Sequence, residues 1–201
     1  MARKERGKGR GRKGAAGARR PLPKTLVLCQ GTETEPKYFR LFTQAYRCPH
    51  VKIATEALDP EGLVETAGTR VRHDKAVTRV FVVVDVDDFT SENLRQAVKA
   101  CGGVATRTCT VDLVVSNESF DCWLAAHVVE QNLPAHGRAH FQKKLVVGGH
   151  LRGRNGKVLS DNFPVEDWEK AEQRIASLEL NEVGDNPGSA MPTLLRALLP
   201  E

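Results

Sequence analysis

No apolar stretch in this chain approaches the roughly 20 residues that a membrane helix requires, and its first residues lack the apolar segment of a secretory signal. A cytoplasmic protein with no membrane partner is therefore expected. The chain also lacks any C-x-x-C pair. Its five cysteines, Cys29, Cys48, Cys101, Cys109 and Cys122, are odd in number and scattered, which argues against a disulfide framework and against a zinc knuckle, and they read as buried thiols. There is no internal repeat. There is no phosphate-binding Walker loop either, since the glycine-rich stretch GGHLRGRNGK (Gly148 to Lys157) has Leu151 where a glycine is required and Val158 where Ser or Thr must follow the lysine.

What is present is enough to bury a core. The chain has 201 residues, of which 40% are hydrophobic, about one domain's worth. Its net charge of +5 is unevenly spread: residues 1–20 hold nine Lys or Arg and one acid, and the other 181 residues hold 21 basic and 24 acidic side chains. The basic character belongs to the tail. Such a segment of Gly, Ala, Arg and Lys cannot offset its ordering entropy, so residues 1–22 are expected to be disordered, with 23–201 forming one domain. Arg10, Arg12 and Lys13 are candidates for contacts to nucleic-acid phosphates, each releasing counterions. A merely solubilising tail fits the same composition.

Along the body, strand and helix patterns alternate. Thr25 to Cys29 reads as a short buried strand feeding a Gly31 turn, and a helix follows with Pro36 in its first turn, Thr34 or Glu35 as its cap, and Tyr38, Phe39, Phe42, Ala45 and Tyr46 at helical spacing. Val51, Ile53 and Thr55 alternate as a strand, residues 60–74 look helical, and Val80 to Val84 is the most hydrophobic run, as a central strand should be. A helix on Leu94, Ala97, Val98 and Cys101, capped by Thr90 or Ser91, precedes a strand over Val111 to Val115. Phe120, Trp123, Leu124, His127 and Val128 trace one more helical face. Beyond Pro134 the pattern loosens until a helix with Trp168, Ala171, Ile175 and Leu178, and a last one over Thr193 to Leu199. The expected fold is α/β, a mostly parallel sheet flanked by helices with a helical C-terminal extension.

Ligands gather at the carboxyl ends of parallel strands, and here two such ends are acidic. Glu33 and Glu35 follow the first strand; Asp85, Asp87 and Asp88 follow the third. Residues two apart on extended chain share a side, so Asp85 and Asp87 can face one way. Two carboxylates together repel unless a cation lies between them, and a hard divalent ion such as Mg²⁺ or Mn²⁺ is the economical choice, suited to phosphoryl chemistry. Aspartates after strands also cap helices.

These segments resemble the RloB-like family. CQGTETEPKYF is similar to its E-G turn followed by T-E and Y-F, VVDVDDF to its D-x-D strand end, SNESFDCWLAAH (Ser116 to His127) to its S-N-P-x-F-E-x-W-L-L-x-H segment, and DNPGSAMPTLLRAL to its C-terminal N-P-S-T helix. The resemblance implies a Toprim-type catalytic fold, divalent-metal-dependent nuclease activity on DNA or RNA, and a place in antiphage defence, commonly beside a companion ATPase. It implies that Asp85 and Asp87 hold the metal; Glu35 is a further candidate ligand, and Asp121, standing where the family has Glu, a candidate outer one. Gln30 stands where the family has a glutamate acting as general acid or base. An amide cannot take up a proton at neutral pH, so catalysis has moved to Glu33 or Glu35, or the protein hydrolyses slowly, or it only binds nucleic acid or a partner. Lys143 and Lys144 match a basic pair that can stabilise a scissile phosphate.

Other positions have plainer readings. Asp121 also suits a helix N-terminal acid, and His127 a core histidine beside Trp123. His136 and His140 have i, i+4 spacing, yet Gly137 lies between them and no third zinc ligand is evident. Arg152, Arg154 and Lys157 suit contacts to a nucleic-acid backbone or a solvated loop. A phosphatase of the haloacid dehalogenase type, with Asp85 as nucleophile, ranks last because its D-x-D strand normally opens the fold.

Overall fold

The computed structural model describes residues 23–86 and 89–200. The most hydrophobic run, Val80 to Val84, sits inside β3 (Val77–Asp85), between β1 (Lys24–Cys29) and β4 (Thr110–Asn117). With β2 (Val51–Thr55) at the edge, these four strands are parallel. Parallel strands need long crossovers. Helices α1 (Thr34–Ala45), α2 (Pro60–His73) and α3 (Ser91–Val104) supply them.

After β4 the chain continues through α4 (Phe120–Val128), α5 (Arg138–Val147), a hairpin of β5 (Leu151–Arg152) and β6 (Val158–Leu159), a 3-10 turn (Val165–Asp167) and α6 (Trp168–Glu172). It then returns to the sheet as β7 (Ala176–Ser177) and β8 (Gly188–Ser189), before α7 (Met191–Leu198). The six-stranded order is β2-β1-β3-β4-β8-β7, with β8 antiparallel to β4. None of the helices among the described residues is long and apolar enough to cross a membrane.

Side chains alternate across β3 with the strand period of two. Val80, Val82 and Val84 join Leu26, Leu28, Leu113 and Val115 under α2 and α3, while Phe81 and Val83 join Val27, Val114, Phe39 and Trp123 under α1, α4 and α7. Both faces are thus covered, which is why β3 reads as an unbroken apolar run. Each fully buried Val, Leu or Phe contributes about 1.5–3 kcal/mol. The cysteines are all buried and free.

The expected caps are found in part. Thr90 forms a capping box on α3, its Oγ1 accepting from Asn93 N at 3.2 Å while Asn93 Oδ1 accepts from Thr90 N at 3.0 Å. Asp59 caps α2 by accepting from Gly62 N at 2.8 Å. By contrast α1 begins at Thr34 with Glu33 in the cap position and no side-chain cap bond, so neither Thr34 nor Glu35 is its cap.

Three further boundaries differ from the pattern. The helix at Trp168 stops at Glu172 and does not reach Leu178, because Arg174 Nη1 donates to Ala126 O at 3.0 Å and His127 O at 3.2 Å and turns the chain toward the end of α4. Ile175 and Leu178 remain buried on either side of β7, so core contact survives the change of conformation. The last helix starts at Met191 with Pro192 in its first turn, and α5 emerges where no helix is expected, with Gly137 at its cap position. The basic tail and Asp87 lie outside the described residues.

Candidate functional site

The carboxyl ends of β1 and β3 open into a cleft of about 370 Å³. The Gly31 turn and the first turn of α1 bring Glu33 and Glu35, β3 brings Asp85, and α4 brings Asp121. Arg138 and Gln142 of α5 line it too, with Asn155, Gly156 and Lys157 from the hairpin loop. Acids from separate segments therefore meet around one space, with two cations at its rim.

Asp85 is the last residue of β3. Its Oδ1 accepts from Phe120 N at 2.8 Å, so the carboxylate sits on the first turn of α4, whose own cap residue Ser119 makes no side-chain cap bond. A negative charge there is stabilised by the helix dipole. Capping and lining the cleft are thus combined in one side chain. Asp121, one residue further along α4, is buried and lines the same space.

Glu35 explains the glycine before it. An ideal Cβ placed on Gly31 would fall on the Glu35 carboxylate, Oε1, Oε2 and Cδ alike, so the bare backbone makes a cradle for that group. Burial pushes the Glu35 carboxyl above the usual carboxylate range, while backbone hydrogen bonds at Glu35 and Gly31 and the charges of Arg138 and Lys157 pull it down. The neighbouring Cys29 thiol is raised too, by burial first and then by the charge of Glu35 and Asp85, which outweigh Arg40. It stays protonated and inert.

Gln30 has a structural task that a glutamate cannot perform. Its Nε2 donates to Leu58 O at 3.1 Å, tying the end of β1 to the β2–α2 connection. A carboxylate would face that carbonyl with no proton to offer. The hairpin loop is tied down as well: Thr34 Oγ1 donates to Lys157 O at 2.6 Å, and Gln142 Nε2 to Asn155 O at 3.2 Å.

Of the residues singled out by sequence, the fold gathers Gln30, Glu33, Glu35, Asp85, Asp121 and Lys157. Lys143 and Lys144 are exposed on α5 and do not line the cleft, and Arg152 and Arg154 are exposed on the hairpin outside it. Asp87, Arg10, Arg12 and Lys13 lie outside the described residues. Among the described residues no group of three or more His, Cys, Asp or Glu is arranged to hold a metal ion. Sequence reasoning missed Arg138, Gln142 and Asn155. The i, i+4 spacing of Arg138 and Gln142 was the available sign, hidden by Pro134 and Gly137 just before them.

His127 is a core residue. It is buried among Trp123, Tyr38 and Phe163. The Trp123 carbonyl can only accept, so Nδ1 carries the proton at 3.0 Å, and Nε2 accepts from the Tyr38 hydroxyl at 3.2 Å. Burial holds its pKa down to about 4, against the opposing effect of its hydrogen bond to Trp123.

The family model described as RloB-like protein matches residues 25–198. No curated protein and no solved structure matches the chain.

Proposed function

The chain belongs to the RloB-like family, and from that premise together with the acidic cleft we propose that it is a divalent-metal-dependent phosphodiesterase of Toprim type, cutting DNA or RNA in antiphage defence. The observation that carries the reading is the convergence of Glu33, Glu35, Asp85 and Asp121 at the carboxyl edge of a parallel sheet, in a cleft that Arg138 and Lys157 also line. All the acidic donors are carboxylate oxygens, the chemistry of a hard cation and not of zinc.

In this reading Asp85 and Asp87 hold Mg²⁺ or Mn²⁺, with Asp121 behind them. A divalent ion held there would supply charge neutralisation at phosphoryl oxygens and a lowered pKa for a coordinated water. Glu35 moves the proton, since its burial brings a carboxyl toward the range where it can both take up and release one. Arg138 and Lys157, which line the same cleft, bind and orient the phosphate. Phe120 and Phe89 line the cleft and limit water. Gln30 takes no part in proton transfer.

One observation favours a second reading, a catalytically silent protein of this fold that binds nucleic acid or a companion ATPase: Gln30 is committed to the Leu58 carbonyl where a catalytic glutamate is expected. Incubation of the chain with plasmid DNA and with RNA in Mg²⁺ and Mn²⁺ separates the two. Cleavage that Asp85→Asn abolishes supports the enzyme, and Asn retains an oxygen for the Phe120 N–H, so the fold is kept. Absence of cleavage in either metal removes the enzymatic reading.

A further inference from the structure

Residues 131–160 contain six Lys or Arg, three His and no Asp or Glu. This segment forms α5 and the β5–β6 hairpin, which lean on one another beside the acidic cleft. Three contacts join them: Gln142 Nε2 donates to Asn155 O at 3.2 Å, His150 N donates to Leu145 O at 2.9 Å, and a Cβ on Gly156 would lie 2.9 Å from Val146 Cγ2. The two elements therefore present one continuous surface.

Its cations are spread across that surface. At about 100° per residue, Arg138, Gln142 and Val146 share the face of α5 turned to the hairpin, and Lys143 and Val147 come next outward. On the hairpin, Arg152 pairs in register with Val158, and both are exposed while Leu151 and Leu159 point inward. Arg154 and Lys157 are exposed in the loop between. Asp161, the acid on which the charge of Arg152 acts, is already paired with Lys37 at 2.8 Å.

We infer that this face is a track for the sugar-phosphate backbone of a base-paired nucleic-acid helix, which carries one strand to the cleft; the inference rests on the phosphodiesterase reading above. Charge complementarity makes the occupant a polyanion. The absence of exposed Trp, Tyr or Phe makes it a duplex, since the exposed rings of this segment, His136 and His140, are stacked on each other with centroids 4.0 Å apart. Single strands are held by stacking their bases on aromatic side chains, and among the two Trp, two Tyr and seven Phe of this chain none is exposed. Two are partly exposed, Tyr46, which bonds Trp168, and Phe89, which lines the cleft, and neither belongs to this face. The apolar surface here is aliphatic: Val146, Val147 and Val158 are 45%, 80% and 44% exposed. Valines can rest against sugars but offer no plane to a base. A duplex asks only for fixed cations at the spacing of its phosphates.

The test is fluorescence anisotropy of the full-length chain in EDTA, so that binding is read without cleavage. The probes are a labelled DNA duplex, an RNA duplex of the same sequence, and their single strands, each across about 50–200 mM salt. The duplexes are expected to bind about tenfold tighter than the strands, a difference of about 1.4 kcal/mol. The variant Lys143→Ala/Arg152→Ala/Arg154→Ala is expected to lower the log–log salt slope for the duplex by roughly 2.7, at about 0.9 per lost phosphate contact. The basic tail is common to both proteins and drops out of the comparison. DNA and RNA duplexes distinguish the two sources of the same backbone chemistry. Single strands bound as tightly as duplexes, an unchanged slope, or equal competition by polyglutamate would overturn the inference, the last by marking a protein-docking face. Duplex binding through these residues without cleavage in metal leaves the track standing and removes the nuclease. Cleavage of single strands, indifferent to the three cations, does the reverse.

Discussion

Gly31→Ala is expected to separate function from stability. Gly31 is not in the left-handed region, so alanine meets no backbone penalty there. What its Cβ meets is the end of one flexible side chain, the Glu35 carboxylate, which must swing out of the cradle. Stability should change little: losing a charge-assisted hydrogen bond at a partly exposed site costs about 1.5 kcal/mol, offset by roughly 0.4–1 kcal/mol from a stiffer unfolded chain. The net is about 1 kcal/mol, or a fall in Tm of roughly 2–4 °C for a domain of this size. Activity should fall far more, because displacing a catalytic group by about 1 Å costs on the order of 100-fold. Thermal unfolding and initial cleavage rates on the same preparations measure both, and Glu35→Gln should show a similar rate loss that the double variant does not deepen. Full activity in Gly31→Ala would refute the placement of Glu35 at the chemistry, and a Tm lowered by more than about 10 °C would refute the claim that only one side-chain end is displaced.

Gln30→Glu exchanges a donor for a carboxylate facing Leu58 O, so metal-free unfolding in urea should show a loss of about 1–2 kcal/mol that added Mg²⁺ reduces. Cleavage appearing only in that variant would identify the parent as the silent form. Stability should also fall with acidity, because His127 titrates near pH 6.5 when unfolded but is held down to about 4 in the fold. The folded state therefore loses stability as pH drops through 6.5 toward 4, by about 2 kcal/mol between pH 8 and pH 5. Chemical denaturation across that range checks it, and His127→Gln should flatten the profile; an unchanged slope would show that the imidazole is not held neutral.

How much of this was legible depends on where each determinant lies along the chain. β1 and β3 were plain because strands covered on both faces need nothing but apolar residues, and an acid at their ends then stands out. The Gly31 turn was legible as a turn, but its cause was not. The requirement is room for a carboxylate four residues on, which no local preference announces. Gln30 posed a question that only a partner 28 residues away answers. α5 escaped notice because Phe141 and Leu145 are the two residues it buries, too few to set a period, and because Gly137 looks like a breaker while occupying the cap position. The short α6 has the same lesson. Its end is set by Arg174 reaching the carbonyls of α4, a long-range contact written nowhere in the helical spacing of Ile175 and Leu178.

The claim on which the rest depends is that Asp85, the last residue of β3, and Asp87 hold one cation beside Glu35. A crystal of the full chain soaked in Mn²⁺, with data collected at the manganese edge, tests it directly. An anomalous peak in the cleft touching Asp85, with Asp87 as a second ligand and absent from Asp85→Asn crystals, is the predicted result. No peak in the cleft, or one that persists unchanged without the Asp85 carboxylate, would contradict it.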